Sequence, residues 1–211
     1  MRGLSKQCLA LAFLTVLSAA CQTRLEPQSV KAQPVLTNEE KDKTGEGRSG
    51  RSQLKLPLIK PSIVVKKSRR ELLLFSDGKV VRTYRIGLGL SPVGDKVRAG
   101  DRRTPEGDFY IFTKNAKSAF YLSLGLSYPN AAHAERGLRD GLISKAQYDS
   151  IMRALRAKKA PPQNTRLGGD IYIHGNGARS DWTWGCVALE NEDIRELYDS
   201  VAIGTAVRIQ P

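Results

Sequence analysis

Glu71-Leu72-Leu73-Leu74-Phe75-Ser76-Asp77-Gly78-Lys79-Val80-Val81-Arg82-Thr83-Tyr84-Arg85-Ile86-Gly87-Leu88 is two apolar runs rich in β-forming residues, joined by Asp-Gly. An Asp-Gly pair suits a two-residue hairpin turn, because both central positions need positive φ. The pattern therefore predicts two antiparallel strands. Working outward, Ile63-Val64-Val65-Lys66 predicts a strand before them. Asp108–Phe112, Leu122–Leu124, Asp170–Ile173 and Thr205–Ile209 predict further strands beyond a Gly/Pro-rich loop at 89–107. Many short strands divided by turn signals make a mainly β domain, either a β-sandwich or barrel-like.

Two helices interrupt the strands. Ser144-Lys145-Ala146-Gln147 is a capping-box start, and Tyr148, Ile151, Met152 and Leu155 follow at helical spacing. Pro161-Pro162 stops this helix. Its apolar stripe suits core or lid packing, and the flanking Gly141, Gly168 and Gly169 suggest an insertion that packs over a cleft as a lid. A C-terminal helix is expected over 191–201, with Asn191 as its cap, acidic residues in its first turn and Gly204 just beyond it.

The flanks set the domain organisation. Arg2 and Lys6 precede the apolar run Cys8–Leu17, which ends in Ser18-Ala19-Ala20-Cys21. A basic start, about ten apolar residues and small residues at the end make residues 1–21 a secretory signal peptide, too short for a spanning helix. Ala-Ala-Cys resembles a bacterial lipoprotein box, with Cys21 as the lipidated residue, although Ser18 stands where that pattern prefers an aliphatic. Ordinary cleavage after Ala20, or retention of the segment as an anchor, is the alternative. Residues 22–61 are polar and punctuated by Pro, Gly and Ser, which predicts a flexible tether. The domain then occupies 62–211. The expected location is the periplasm or cell envelope, anchored to a membrane through Cys21.

The net charge is +13, from 34 basic and 21 acidic residues. No nucleic-acid recognition motif accompanies it and the charges are dispersed, so nucleic acid is not an expected partner. Lipid surfaces and the cell-wall polymer are the polyanions an exported protein meets. Dispersed Lys and Arg equally serve simply to solvate a surface.

Of the three cysteines, Cys8 and Cys21 belong to the leader, leaving Cys186 unpaired in the domain. A lone thiol in an exported protein suggests a reactive one. His174 ends an apolar strand twelve positions earlier and is followed by Gly175. A thiol at neutral pH is mostly protonated, and imidazole is the usual group to remove its proton. Gly185 lets the backbone approach a substrate carbonyl, so the Gly185 and Cys186 amides can donate to an oxyanion. The Gly175 carbonyl can hold the second imidazole nitrogen. The bland alternative is a buried small cysteine and a satisfied strand-end histidine. With one cysteine and two histidines in separate segments, no metal site is expected.

These residues closely resemble the L,D-transpeptidase (YkuD-type) family. Its signature joins an Ile-His-Gly strand end to a Ser-x-Gly-Cys-Ile/Val-x turn, matched here by Ile173-His174-Gly175 and Thr183-Trp184-Gly185-Cys186-Val187-Ala188. The resemblance continues through Ile86–Gly89, Gly94-Asp95-Lys96, Gly100–Gly107 and Ser127-Tyr128-Pro129-Asn130, and spans about 62–211. Trp184 replaces a frequent His and Ala188 a frequent Arg or Asn, which bears on acceptor preference.

The resemblance implies mixed β-sheets with a helical insertion, peptidoglycan stem peptides as substrate, and no cofactor. It implies Cys186 as nucleophile, His174 as base, the Gly175 carbonyl as orienter, and the Gly185 and Cys186 amides as oxyanion hole. A carbapenem should then acylate Cys186. Arg102 and Arg103 are expected either to bind a stem-peptide carboxylate or to be solvated loop charges. Tyr128, Thr183 and Trp184 are expected at the cleft, with core packing the alternative for Tyr128, Trp184 and the neighbouring Trp182. Three readings share the site: transpeptidation to an amine, hydrolysis of the same acyl group, and an idle wall-binding module.

Overall fold

A computed structural model describes residues 52–211. The leader, Cys21 and residues 22–51 of the expected tether lie outside the described residues. Eight strands and three helices follow in the order β1 (Ser62–Lys66), β2 (Glu71–Ser76), β3 (Lys79–Arg85), β4 (Gly107–Ser118), β5 (Tyr121–Leu126), α1 (Ala131–Arg139), α2 (Lys145–Arg156), β6 (Tyr172–His174), β7 (Val187–Ala188), α3 (Asn191–Ser200) and β8 (Ala206–Gln210). The β2–β3 hairpin is the expected one: Asp77 and Gly78 take φ of 48° and 74°, as a two-residue turn requires.

All eight strands lie in one sheet, ordered β3-β2-β1-β8-β4-β5-β6-β7. β8 runs parallel to β1 and antiparallel to the first part of β4, while the rest of β4 pairs with β5. The two edges are drawn together beyond their strands, through bridges from Gly87 to Ala188 and from Gly89 to Thr183. The barrel-like form is therefore the one adopted, as a half-barrel sheet. Alternation places Ile63 and Val65 of β1 and Val207 and Ile209 of β8 on one face. With Leu72, Leu74, Leu124 and Ile173 they form the core, which α3 joins through Ile194 and Leu197. Each such side chain contributes about 1.5–3 kcal/mol by burial.

Residues 52–61 form no regular element, but Leu54 and Leu58 pack against this core. The Asp77 N–H donates to the Ile59 carbonyl at 2.6 Å.

The helices depart from expectation in three ways. α2 has its capping box at Ser144 and Gln147, yet it does not wall the cavity that holds Cys186. Its buried Ile151 packs with Ala134 of α1 and Leu167 in a small second core. α3 is capped in position by Glu190, not Asn191. The Asn191 Oδ1 accepts the Asn176 N–H at 2.9 Å instead, tying the helix start to the chain after β6. α1 was not anticipated. Its N-cap Asn130 accepts the His133 N–H at 3.1 Å.

Candidate active site

Parallel pairing of β6 with β7 sets Ile173 beside Val187 and His174 beside Ala188. Cys186, the residue before β7, thereby falls next to Tyr172. With a side-chain period of two, Cys186 shares a face with Ala188 and its partner His174. Both side chains line one cavity of about 310 Å³, together with Ser123, Asp170, Tyr172 and Phe120. The Cys186 thiol donates to the Asp170 carbonyl at 3.4 Å, and its sulfur accepts the Tyr172 N–H at 3.4 Å.

His174 is buried, and its Nδ1 lies 2.8 Å from the Gly175 carbonyl. A carbonyl only accepts, so Nδ1 carries the proton and Nε2 presents a lone pair. Nε2 has no hydrogen-bond partner among the described residues, while no buried side-chain nitrogen or oxygen is left unpartnered, so Nε2 opens onto the cavity. Burial pushes the imidazole below its ordinary 6.5, against the raising effect of the Gly175 bond. Burial also pushes the thiol up to about 11, partly offset by the Tyr172 N–H. At neutral pH the resting pair is a thiol and a neutral imidazole.

The nucleophile turn is built inward. Thr183 Oγ1 donates to the Cys186 carbonyl at 2.8 Å and accepts the Gly185 N–H at 3.1 Å. Gly185 has φ of 132°, and a Cβ there would sit 2.8 Å from the Arg103 carbonyl. Only glycine meets both demands. The Cys186 amide has no partner among the described residues and remains free to donate.

The loop behind this turn is held by buried charges. Lys67 Nζ donates to the carbonyls of Gly94 and Thr104 at 2.6 and 3.0 Å and to Glu106 at 2.7 Å. Asp95 accepts from Arg136 at 2.9 Å and from the Glu106 N–H at 2.8 Å, and lies 3.0 Å from His133 Nε2. Burial raises the Asp95 carboxyl, but these partners outweigh it and hold the group well below the usual carboxylate range. Lys96 is likewise buried against Asp101 at 2.8 Å.

A family model of the L,D-transpeptidase catalytic domain (YkuD) matches residues 60–209. The chain belongs to this family. Among solved structures, an L,D-transpeptidase from Xylanimonas cellulosilytica is 18% identical, with TM-score 0.43, over 76% of this chain and 65% of that one. The helical cell shape determining protein Pgp2 from Campylobacter jejuni is 22% identical, with TM-score 0.47, over 71% and 47%. An L,D-transpeptidase from Mycobacterium smegmatis is 13% identical, with TM-score 0.43, over 72% and 59%. The chain thus spans about half to two thirds of the length of these proteins. No curated protein matches it.

Within this L,D-transpeptidase domain several expected site residues lie elsewhere. Tyr128 is fully buried and donates to the Leu167 carbonyl at 2.9 Å, between Phe109 and His133, so it is core and not cleft. Tyr128→Phe should cost about 1–2 kcal/mol, since the buried Leu167 carbonyl loses its donor. Chemical denaturation should show that loss with kcat unchanged. Thr183 is 3% exposed and holds the turn, and the Gly185 amide expected at the oxyanion hole is taken by Thr183.

Arg102 lies over the ring of Trp184, 5.1 Å from its centroid, and Trp184 is 69% exposed. Arg103 turns away, donating to the Asp95 carbonyl at 3.3 Å. None of these three lines the Cys186 cavity. Phe120, Ser123, Asp170 and Tyr172, which do, carry no motif that would have singled them out. A second cavity of about 720 Å³ adjoins the first at Phe120, with Trp182, Arg179, Glu190, Asn176 and Asn191 in its walls.

Proposed function

We propose that the domain is a peptidoglycan L,D-transpeptidase that carries a stem-peptide acyl group as a thioester on Cys186 and transfers it to an amine. One observation carries this reading. The Gly175 carbonyl fixes the imidazole tautomer, leaving an unpartnered Nε2 in the same cavity as the only cysteine of the described residues.

In the proposed first step Nε2 takes the thiol proton as Sγ attacks an amide carbonyl of the donor. The Cys186 N–H donates to the oxyanion of the tetrahedral adduct. The adduct collapses to the thioester, and the protonated imidazole gives its proton to the departing C-terminal D-amino acid. In the second step Nε2 removes a proton from the acceptor amine as its nitrogen attacks the thioester. The C–S bond breaks, the new amide forms, and the proton returns to sulfur. The high thiol pKa favours proton transfer at the moment of attack over a standing ion pair.

An exported, lipid-anchored placement through Cys21 belongs to the same proposal and rests on residues 1–21 alone. Mass spectrometry of wall fragments incubated with the purified domain tests the function. Amide-linked products that depend on an added amine are the expected result. Trimmed peptides alone, with or without amine, would make the domain a hydrolase.

A further inference from the structure

His174 is held at one atom by the Gly175 carbonyl, and a single hydrogen bond fixes a point but not the plane of a ring. The remaining constraint comes from the tip of the β4–β5 hairpin. Phe120 stacks on the imidazole with centroids 4.6 Å apart and planes at 30°. Trp182 meets the ring edge-on at 5.5 Å, its own Nε1 donating to the Gly177 carbonyl at 3.0 Å. Phe120 is 42% exposed, so it is not an ordinary core residue.

The backbone around Phe120 is anchored for this pose. The Gly175 N–H donates to the Phe120 carbonyl at 3.0 Å. A Cβ on Gly175 would lie 2.5 Å from Asn191 Oδ1, 2.9 Å from that carbonyl and 3.2 Å from Tyr121 Cβ, so the glycine after the histidine admits both the start of α3 and the hairpin tip. Tyr121 takes φ of 71°, an unfavourable conformation for a bulky residue. Its hydroxyl accepts from Arg195 of α3 at 3.1 and 3.3 Å, which pins the turn.

We propose that Phe120 is a positioning residue that fixes the plane of the His174 imidazole and shields one of its faces from water. This rests on the Cys186–His174 reading above. The titratable groups facing the pair are Asp170 and Tyr172 in the smaller cavity and Arg179 and Glu190 in the larger, with the buried Lys96 cation also acting on the thiol.

The test compares Phe120→Ala, Phe120→Leu and Phe120→Tyr with the wild-type domain. Three readouts are used: kcat and KM for acyl transfer, the pH dependence of Cys186 alkylation by iodoacetamide, and the NMR titration of His174. The chain has two histidines, so the second signal, from His133, serves as an internal control. In Phe120→Ala kcat should fall by about 10²-fold, the scale of a misplaced catalytic group, with KM little changed. The titration and the acid limb of alkylation should both move up toward 6.5, and Phe120→Tyr should restore them. Phe120→Leu keeps a folded, apolar tip without a π face and should show the same shift in smaller measure.

A folded alanine or leucine variant with unchanged kcat and unchanged His174 titration would overturn the proposal. A rise in KM alone would do the same, making Phe120 a ligand contact. The titration does not depend on turnover, so loss of the transpeptidase reading, shown by an active Cys186→Ser domain, is a separate result.

Discussion

Cys186→Ser is expected to lower acyl transfer on the order of 10⁴-fold or more while the fold survives, as found for nucleophiles that act as part of a unit. The sulfur already sits in a desolvating site that holds its pKa near 11. A serine alcohol there is far harder to ionise, and His174, itself pushed below 6.5, is too weak a base to do so unaided. Hydrogen bonds within the turn run through the Cys186 carbonyl and Thr183, and a serine hydroxyl keeps a donor for the Asp170 carbonyl and an acceptor for the Tyr172 N–H where the sulfur now bonds them, so the backbone should hold. A carbapenem serves as an acylating mimic of the donor. The wild-type domain should gain one drug mass and Cys186→Ser none. A drug mass on the serine variant, or activity near wild type, would remove Cys186 from the mechanism.

His174→Ala should slow acylation by about 10²–10⁴-fold, the range for loss of a general base. Its pH signature is more telling than its size. The reactive form of His174 is neutral, so kcat/KM should fall on acidification, with a midpoint below 6.5 because burial depresses the imidazole. The thiol near 11 places no limb at neutral pH. In His174→Ala the break below 6.5 should vanish. Iodoacetamide alkylation should then climb about tenfold per pH unit toward the thiol pKa, as expected when thiolate alone reacts. Persistence of a break below 6.5 in the alanine variant would assign it to another group and unseat His174 as the base.

The parts of the site that were legible in the sequence are those built from contiguous backbone. Asp77-Gly78 makes its hairpin because positive φ is a property of those two residues. Ser144 and Gln147 cap α2 because a capping box spans four residues. The Ile-His-Gly and Gly-Cys segments could be read because strand end and turn each carry their own glycine. Gly185 indeed sits at φ of 132°, where a side chain would strike the Arg103 carbonyl.

What failed concerns the direction a side chain faces. Asn191 is a sound cap by type, but Asn176 reaches it first from the chain after β6. Tyr128 beside a proline suits a cleft wall or a core equally, and only the packing of Phe109 and His133 around it decides for the core. The apolar stripe of α2 was visible, though nothing in it says whether it meets a cleft or α1. Thr183 stood in the right motif, yet its hydroxyl serves the turn and accepts the Gly185 amide that was expected to face an oxyanion.

Residues 62–211 thus specify in their own order a mainly β domain, its hairpin and caps, and the histidine and cysteine that belong together. These depend on conformational preferences acting over a few neighbouring residues. The cavity, the Phe120 wall against His174 and the neutral state of the Cys186–His174 pair exist only once β5, β6 and β7 pair in register. Desolvation and stacking arise between residues tens of positions apart, and no local pattern encodes which of them will meet.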